Sequence, residues 1–176
     1  CFDSKLFGTY NKMLLPNYDV FDEKRYFVSG KETGVFKIKY KNIDVTVGLQ
    51  ICEDLWDENY NVKISEQQKE RGAEIIINCS ASPFTVDKLD MRIKLIKKKA
   101  RLLNLPIIYC NLIGAQDEII FDGNSLIYSN NGDLVCQGKS FEESNIITEI
   151  NRASSIMVQI QKKEEKIFNA LSLGIS

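Results

Sequence analysis

One stretch limits what this chain can fold into more than any other, and it runs from Ile43 to Trp56. Ile43, Val45, Val47, Leu49 and Ile51 alternate with Asp44, Thr46, Gly48 and Gln50. A period-two pattern of this kind predicts a strand over 43–51 with one well-buried face. The strand runs directly into Cys52-Glu53-Asp54-Leu55-Trp56. In open α/β sheets, ligands sit just beyond the carboxyl ends of strands, so Cys52 stands where a nucleophile would stand. A single strand-end cysteine packs more often as a small hydrophobe. Here two carboxylates follow it at once, and Lys12 lies upstream in another unusual string.

The chain contains no histidine. Ser-His-Asp and Cys-His arrangements are therefore excluded within it, as are histidine-containing zinc sites. A nucleophilic Cys52 must pass its proton to a carboxylate, with an amine to hold or stabilise the charge. A nearby lysine ammonium lowers a thiol pKa and later stabilises an oxyanion. Lys12 supplies the cation, and Glu23 and Glu53 supply carboxylates. Taken singly, Lys12 reads as a surface lysine and Glu53-Asp54 as a helix-capping pair. The joint pattern points to chemistry.

At 176 residues, with 44% hydrophobic and 27% charged residues, one globular domain with a real core is expected. A net charge of −1 gives no electrostatic case for nucleic acid or an anionic membrane. No apolar run approaches the ~20 residues that span a bilayer. The chain opens Cys1-Phe2-Asp3, with neither initiator methionine nor signal peptide, so it is expected to be a fragment. Five cysteines, at 1, 52, 79, 110 and 136, exclude CxxC metal or redox motifs and do not resemble a disulfide scaffold. An odd count suits a reducing compartment, with the cytoplasm as the expected location.

Residues 1–34 read mostly as loop, rich in aromatics and charges without either period. A hairpin is expected over 35–40 and 43–51, with Lys41-Asn42 at its turn. A helix over 64–71 should stop at Gly72, followed by a buried strand over 74–79. After the polar turn 80–83 comes a basic helix, about 87–103. Its Leu89, Ile93, Ile96, Ala100 and Leu103 form the inward stripe, and its Arg and Lys residues a solvated face. A strand over 106–111 completes a β, α, β, α, β order, which implies right-handed crossovers and a largely parallel sheet. Residues 114–123 read as loop, and 125–128 with 134–137 as a hairpin. Strands are expected over 146–150 and 156–160, and an amphipathic helix over 161–173.

Lys12 lies in Tyr10-Asn-Lys-x-x-Leu-Pro-Asn-Tyr-x-Val-Phe-Asp-Glu-x-Arg-Tyr-Phe27, which resembles the lysine motif of the glutaminase domain of glutamine-dependent NAD synthetases, a branch of the nitrilase superfamily. Gly48 to Trp56 resembles that family's nucleophile segment. Asn78-Cys-Ser-Ala-Ser-Pro-Phe84, the loop from Gly114 to Gly123 and the tail from Glu164 to Gly174 are similar too. The resemblance covers nearly the whole chain.

It implies an α/β fold, the nitrilase-like α-β-β-α sandwich, with a Glu-Lys-Cys triad. Cys52 matches the nucleophile and Lys12 the triad lysine. Glu23 matches a second glutamate near the triad. Tyr18 and Glu53 match positions that hold the substrate, joined by Ser80 and Ser82. The triad glutamate itself belongs to an N-terminal portion expected to be absent, so the chain alone is expected to be weakly active or inactive. Residues 1–160 would form a partial glutaminase domain, and 161–176 a helix leading toward a synthetase domain outside the chain. The implied substrate is L-glutamine, whose ammonia serves NAD synthesis by the synthetase domain of the same polypeptide. No metal or cofactor is expected here; ATP and magnesium belong to the synthetase domain. The full-length protein is expected to form a homo-oligomer, with no nucleic-acid or membrane partner. Two other readings stand beside this one: a stand-alone amidase or nitrilase of the superfamily, and a truncated, non-catalytic scaffold.

Overall fold

The computed structural model describes residues 6–150 and 158–175. The chain divides into two compact units, residues 1–78 and 79–176.

In the first unit, residues 6–33 are irregular apart from one short helix, α1 (Glu23–Tyr26). The expected hairpin follows as β1 (Gly34–Tyr40) and β2 (Ile43–Ile51), antiparallel from Gly34↔Leu49 to Tyr40↔Ile43. Lys41 takes the left-handed turn position at φ 54°. Helix α2 (Ile64–Glu70) ends before Gly72, whose φ of 87° suits glycine and stops the helix as expected. Strand β3 (Ile75–Ser80) follows and crosses into the second unit. The amide of Glu74 donates to Thr46 O (2.8 Å), and the Asn78 side chain reaches Gln50 and Cys52 further along. Contacts advance in the same direction on both strands, so β2 and β3 run parallel.

The buried face of β2 differs from expectation. Gln50 is 0% exposed and Thr46 8%, whereas Ile43 is 63% exposed. The cause is α2, which lies on the polar side. Gln68, itself fully buried, donates to Leu49 O (2.9 Å) and Gly34 O (3.1 Å) and accepts from Gln50 Nε2 (2.9 Å). Gln50 Nε2 also donates to Ser65 Oγ (2.9 Å). A Cβ at Gly48 would sit 2.9 Å from Gln68 Oε1, so glycine is what admits this side chain. A fully bonded polar layer is buried without the usual penalty. The apolar side forms a groove lined by Phe7, Phe36, Ile38, Val47, Leu49 and Ile77.

The second unit holds the end of β3, helix α3 (Lys88–Leu103), β4 (Ile107–Asn111), β5 (Ile113–Gln116), β6 (Ile119–Asp122), β7 (Leu126–Tyr128), β8 (Leu134–Gln137) and α4 (Lys163–Ile175). The Leu112 amide donates to Ser80 O (2.9 Å), which joins the carboxyl ends of β3 and β4 and makes them parallel. Strands β4, β7 and β8 continue as neighbours, both pairs antiparallel. The largely parallel sheet expected from the β-α-β order is thus a mixed one. Its parallel part is the three strands joined by α2 and α3, flanked by antiparallel hairpin partners.

Three further expectations change. The stretch 114–123 is not a loop: β5 and β6 pair from Ile113↔Asp122 to Gln116↔Ile119, turning through Asp117 at φ 51°. Residues 146–150 carry no strand. Of 156–160, residues 156 and 157 lie outside the described residues, and 158–160 are irregular. The basic helix α3 does not keep all its cations in water. Arg92 (0% exposed) and Lys99 (6%) turn inward beside Leu89, Leu95, Ile96, Ala100 and Leu103, and Ile93 is only half-buried. Arg92 is tolerated inside because Asp122 neutralises it, with Nη1 to Oδ1 at 2.8 Å. The tail helix forms as expected and packs against the β5–β6 hairpin, with Lys166 Nζ donating to Val86 O (3.2 Å). Among the described residues no helix is long and apolar enough to cross a membrane.

Candidate active site

Strand β2 ends in a 3₁₀ turn, Cys52–Leu55, and Cys52 enters it at φ 45°. That left-handed conformation costs a non-glycine residue about 1–2 kcal/mol, so the surroundings must hold it. Two contacts do so: Asn78 Nδ2 donates to Cys52 O (3.2 Å), and the Ile51 amide donates to Asp54 Oδ2 (2.9 Å). The half-buried thiol is thereby presented on a strained strand-to-helix elbow.

Asp54 also ties this elbow to the loop carrying Lys12. Its carboxylate is 0% exposed and accepts from Tyr10 OH (2.8 Å), Met13 N (3.1 Å) and Leu14 N (2.9 Å), besides Ile51 N. The residues on both sides of Lys12 are therefore pinned to the residues on both sides of Cys52. Burial raises the Asp54 pKa, opposed by these donors. Burial and the adjacent Asp54 charge push the Tyr10 phenol well above its ordinary value.

The Lys12 ammonium meets both oxygens of Glu23 at 2.7 Å, with side-chain exposures of 13% and 24%. Lys12 is thus a paired, mostly buried cation, not a surface lysine. Glu53, 5% exposed, accepts from Tyr18 OH at Oε2 (2.7 Å) and from Tyr60 OH at Oε1 (2.9 Å). Burial, the bond to Glu53 and the nearby Cys52 charge raise the Tyr18 phenol far above its ordinary range. Burial and the same carboxylate push Tyr60 up to about 12, with Glu23 adding to the shift. Both phenols therefore stay protonated donors near neutral pH.

The structure brings Lys12 and Glu23 into one ion pair, and Tyr18 and Glu53 into one hydrogen bond beside Cys52. Ser80 and Ser82 belong to the second unit. Ser82 is 3% exposed, with its hydroxyl and carbonyl both accepting from Arg92 (3.2 and 2.8 Å) and its amide donating to Asn111 Oδ1 (2.9 Å). Its side chain is engaged in the Arg92–Asp122 network. Sequence reasoning missed the roles of Asp54 and Asn78, and missed Tyr60 altogether. Asp54 carried a signal, since it stands three residues after the last strand residue; Tyr60 carried none. A thiol on a strained elbow, a paired ammonium and a clamped carboxylate together form a site fit for nucleophilic attack on an electrophilic carbon. Among the described residues no group of three or more His, Cys, Asp or Glu side chains is placed to hold a metal ion.

The carbon-nitrogen hydrolase family model matches residues 3–158. The glutamine-dependent NAD(+) synthetase of Thermotoga maritima is 37% identical over 161 residues, which cover 90% of this chain and 26% of that protein. The structure of glutamine-dependent NAD+ synthetase from Acinetobacter baumannii, in complex with ADP, superposes with a TM-score of 0.85 at 32% identity, covering 97% of this chain and 32% of that one. A carbon-nitrogen hydrolase from Helicobacter pylori superposes with a TM-score of 0.67 at 25% identity, covering 79% of this chain and 50% of that one. The chain thus has the nitrilase-like fold, and it spans about a quarter of the length of the curated relatives it matches.

Proposed function

This chain belongs to the carbon-nitrogen hydrolase family, and from that premise we propose that it hydrolyses the side-chain amide of glutamine, supplying ammonia to an ATP-dependent NAD synthetase of the same polypeptide. The observation that carries the reading is the Asp54 carboxylate, which ties the Lys12 loop to the Cys52 elbow. In the proposed reaction a carboxylate takes the Cys52 proton and the sulfur attacks the amide carbon. Glu23, already on Lys12, is the first candidate among the described residues. Lys12 and a backbone N–H beside Cys52 stabilise the oxyanion. Ammonia leaves, and water cleaves the thioester to release glutamate. Tyr18 and Glu53 hold the substrate. The proposal gives this domain no cofactor, assigns ATP and magnesium to the synthetase domain, and places the homo-oligomeric full-length protein in the cytoplasm.

The test is ammonia release from L-glutamine by the full-length protein, with simple aliphatic amides as competing substrates. Glutamine is expected to be preferred, and Cys52→Ser to abolish release. Ammonia release that survives Cys52→Ser, or a preference for simple amides, would overturn the reading; the second result would favour a stand-alone amidase chemistry.

A further inference from the structure

A second 3₁₀ turn, Asp57–Asn59, follows the Cys52 elbow and ends at Tyr60. The proposed reaction gives it no task, yet it is firmly braced. The Lys63 ammonium donates to the carbonyls of Asp57 (2.9 Å) and Glu58 (2.8 Å), and the Tyr60 amide donates to Asp57 O (3.1 Å). The Asp57 carboxylate, 2% exposed, accepts from the Ser65 amide (3.4 Å), which ties the turn to the start of α2. What this braced segment delivers to the site is one hydroxyl, Tyr60 OH on Glu53 Oε1 at 2.9 Å.

We propose that Tyr60 is a positioning residue: braced through Lys63, it fixes the Glu53 carboxylate and so sets the affinity for glutamine, not the rate of its cleavage. This role rests on the glutamine hydrolysis proposed above. Tyr18 OH takes the other oxygen, Oε2, at 2.7 Å. The terminal torsion of a glutamate is broad, and one phenol on each oxygen stops the carboxylate from turning. Both partners are neutral donors. They orient the negative charge without cancelling it, as an arginine or lysine would, so the charge stays available to the substrate. The Lys12 ammonium is meanwhile taken up by both oxygens of Glu23. The Glu23 charge is the last of the causes that raise the Tyr60 phenol, after burial and Glu53.

Tyr60→Phe keeps the ring and removes only the hydroxyl. Glu53, at 5% exposure, then loses one of its two phenol donors where little water can replace it. A bond to a charged acceptor is among the stronger ones, and its loss should weaken glutamine binding about tenfold, or ~1.4 kcal/mol. Lys63→Met leaves the hydroxyl in place but frees the carbonyls of Asp57 and Glu58, so the turn presents it less steadily. Binding should weaken in the same direction by about threefold. Neither change touches Cys52, Lys12 or Glu23.

The experiment uses the full-length protein and reads binding and chemistry apart. Iodoacetamide alkylation of Cys52, followed by peptide mass, is titrated with L-glutamine, and steady-state ammonia release gives kcat and KM. In Tyr60→Phe the half-protecting glutamine concentration and KM should both rise about tenfold. The unprotected alkylation rate and kcat should stay within about twofold of the wild type. Lys63→Met should show the same split with the smaller shift. Unchanged protection and KM in Tyr60→Phe would overturn the proposal while glutamine hydrolysis by the wild type stands. A lower kcat at unchanged KM would also overturn it, and would place Tyr60 on the Lys12–Glu23 pair. A wild-type protein that neither hydrolyses glutamine nor is protected by it would overturn the proposed function, and this role with it.

Discussion

Replacing Asp54 with alanine should release the Lys12 loop while leaving most of the fold in place. In the native protein the carboxylate accepts two backbone amides from that loop, Met13 N at 3.1 Å and Leu14 N at 2.9 Å. Hydrogen bonds to a charged acceptor contribute about 1.5–3 kcal/mol each. The Leu14 bond is fully buried; the Met13 bond is partly buried, so water replaces some of its loss. Removing a buried carboxylate also relieves a desolvation penalty, the one that raises its pKa. Weighing these, loop opening should become easier by about 3 kcal/mol, or roughly a hundredfold in the open population. Trypsin reads this directly, because the Lys12–Met13 bond is cleaved only when the loop opens. Cleavage there should accelerate about a hundredfold in Asp54→Ala, while cleavage at Lys97 on α3 reports any global unfolding. A less than fivefold change at Lys12 would show that the carboxylate does not hold the loop.

Three further outcomes are expected. Lys12→Met should lower glutamine hydrolysis by the full-length protein by about 10²–10³-fold through loss of oxyanion stabilisation, and unchanged turnover would remove Lys12 from the mechanism. Asp122→Ala should destabilise the protein by about 3–5 kcal/mol in denaturant titration, since it leaves the fully buried Arg92 charge without its counter-ion; a change under 1 kcal/mol would mean the pair is not structural. Tyr60 should ionise only near pH 12. Its folded pKa lies above the unfolded value, so its contribution to stability is full below about pH 10 and is lost as pH rises through about 12. Tyr60→Phe should remove one late-titrating phenol from the ultraviolet alkaline titration, and a loss from the normal fraction would contradict the clamp on Glu53.

Much of this architecture was legible because short-range patterns carried it. The alternation in β2, the Gly72 stop after α2 and the Asn130-Asn131-Gly132 turn before β8 each impose a backbone conformation locally. What periodicity could not decide was which face of β2 would be covered. That depended on α2 bringing Gln68 over Gly48, a contact between residues twenty apart in sequence. The β5–β6 hairpin was hidden by its Asp117-Glu118 turn, which lacks the glycine that marks such turns, although Asp117 does adopt a positive φ. Arg92 looked like part of a solvated face because its partner Asp122 lies thirty residues away. In the site, Lys12, Glu23, Tyr18, Glu53 and Cys52 were nameable from motifs. The Tyr60 clamp was not, since a lone tyrosine after an irregular turn has no pattern to betray it.

Labelling with a glutamine-like electrophile, a diazo-oxo-norleucine, tests the central claim most directly. The full-length protein is treated with and without excess L-glutamine, and the adduct is mapped by peptide mass. Nucleophilic attack from the Cys52 elbow predicts one adduct per chain, on Cys52, suppressed by glutamine. An adduct mainly on Cys79, Cys110 or Cys136, or one that glutamine does not suppress, would contradict the assignment.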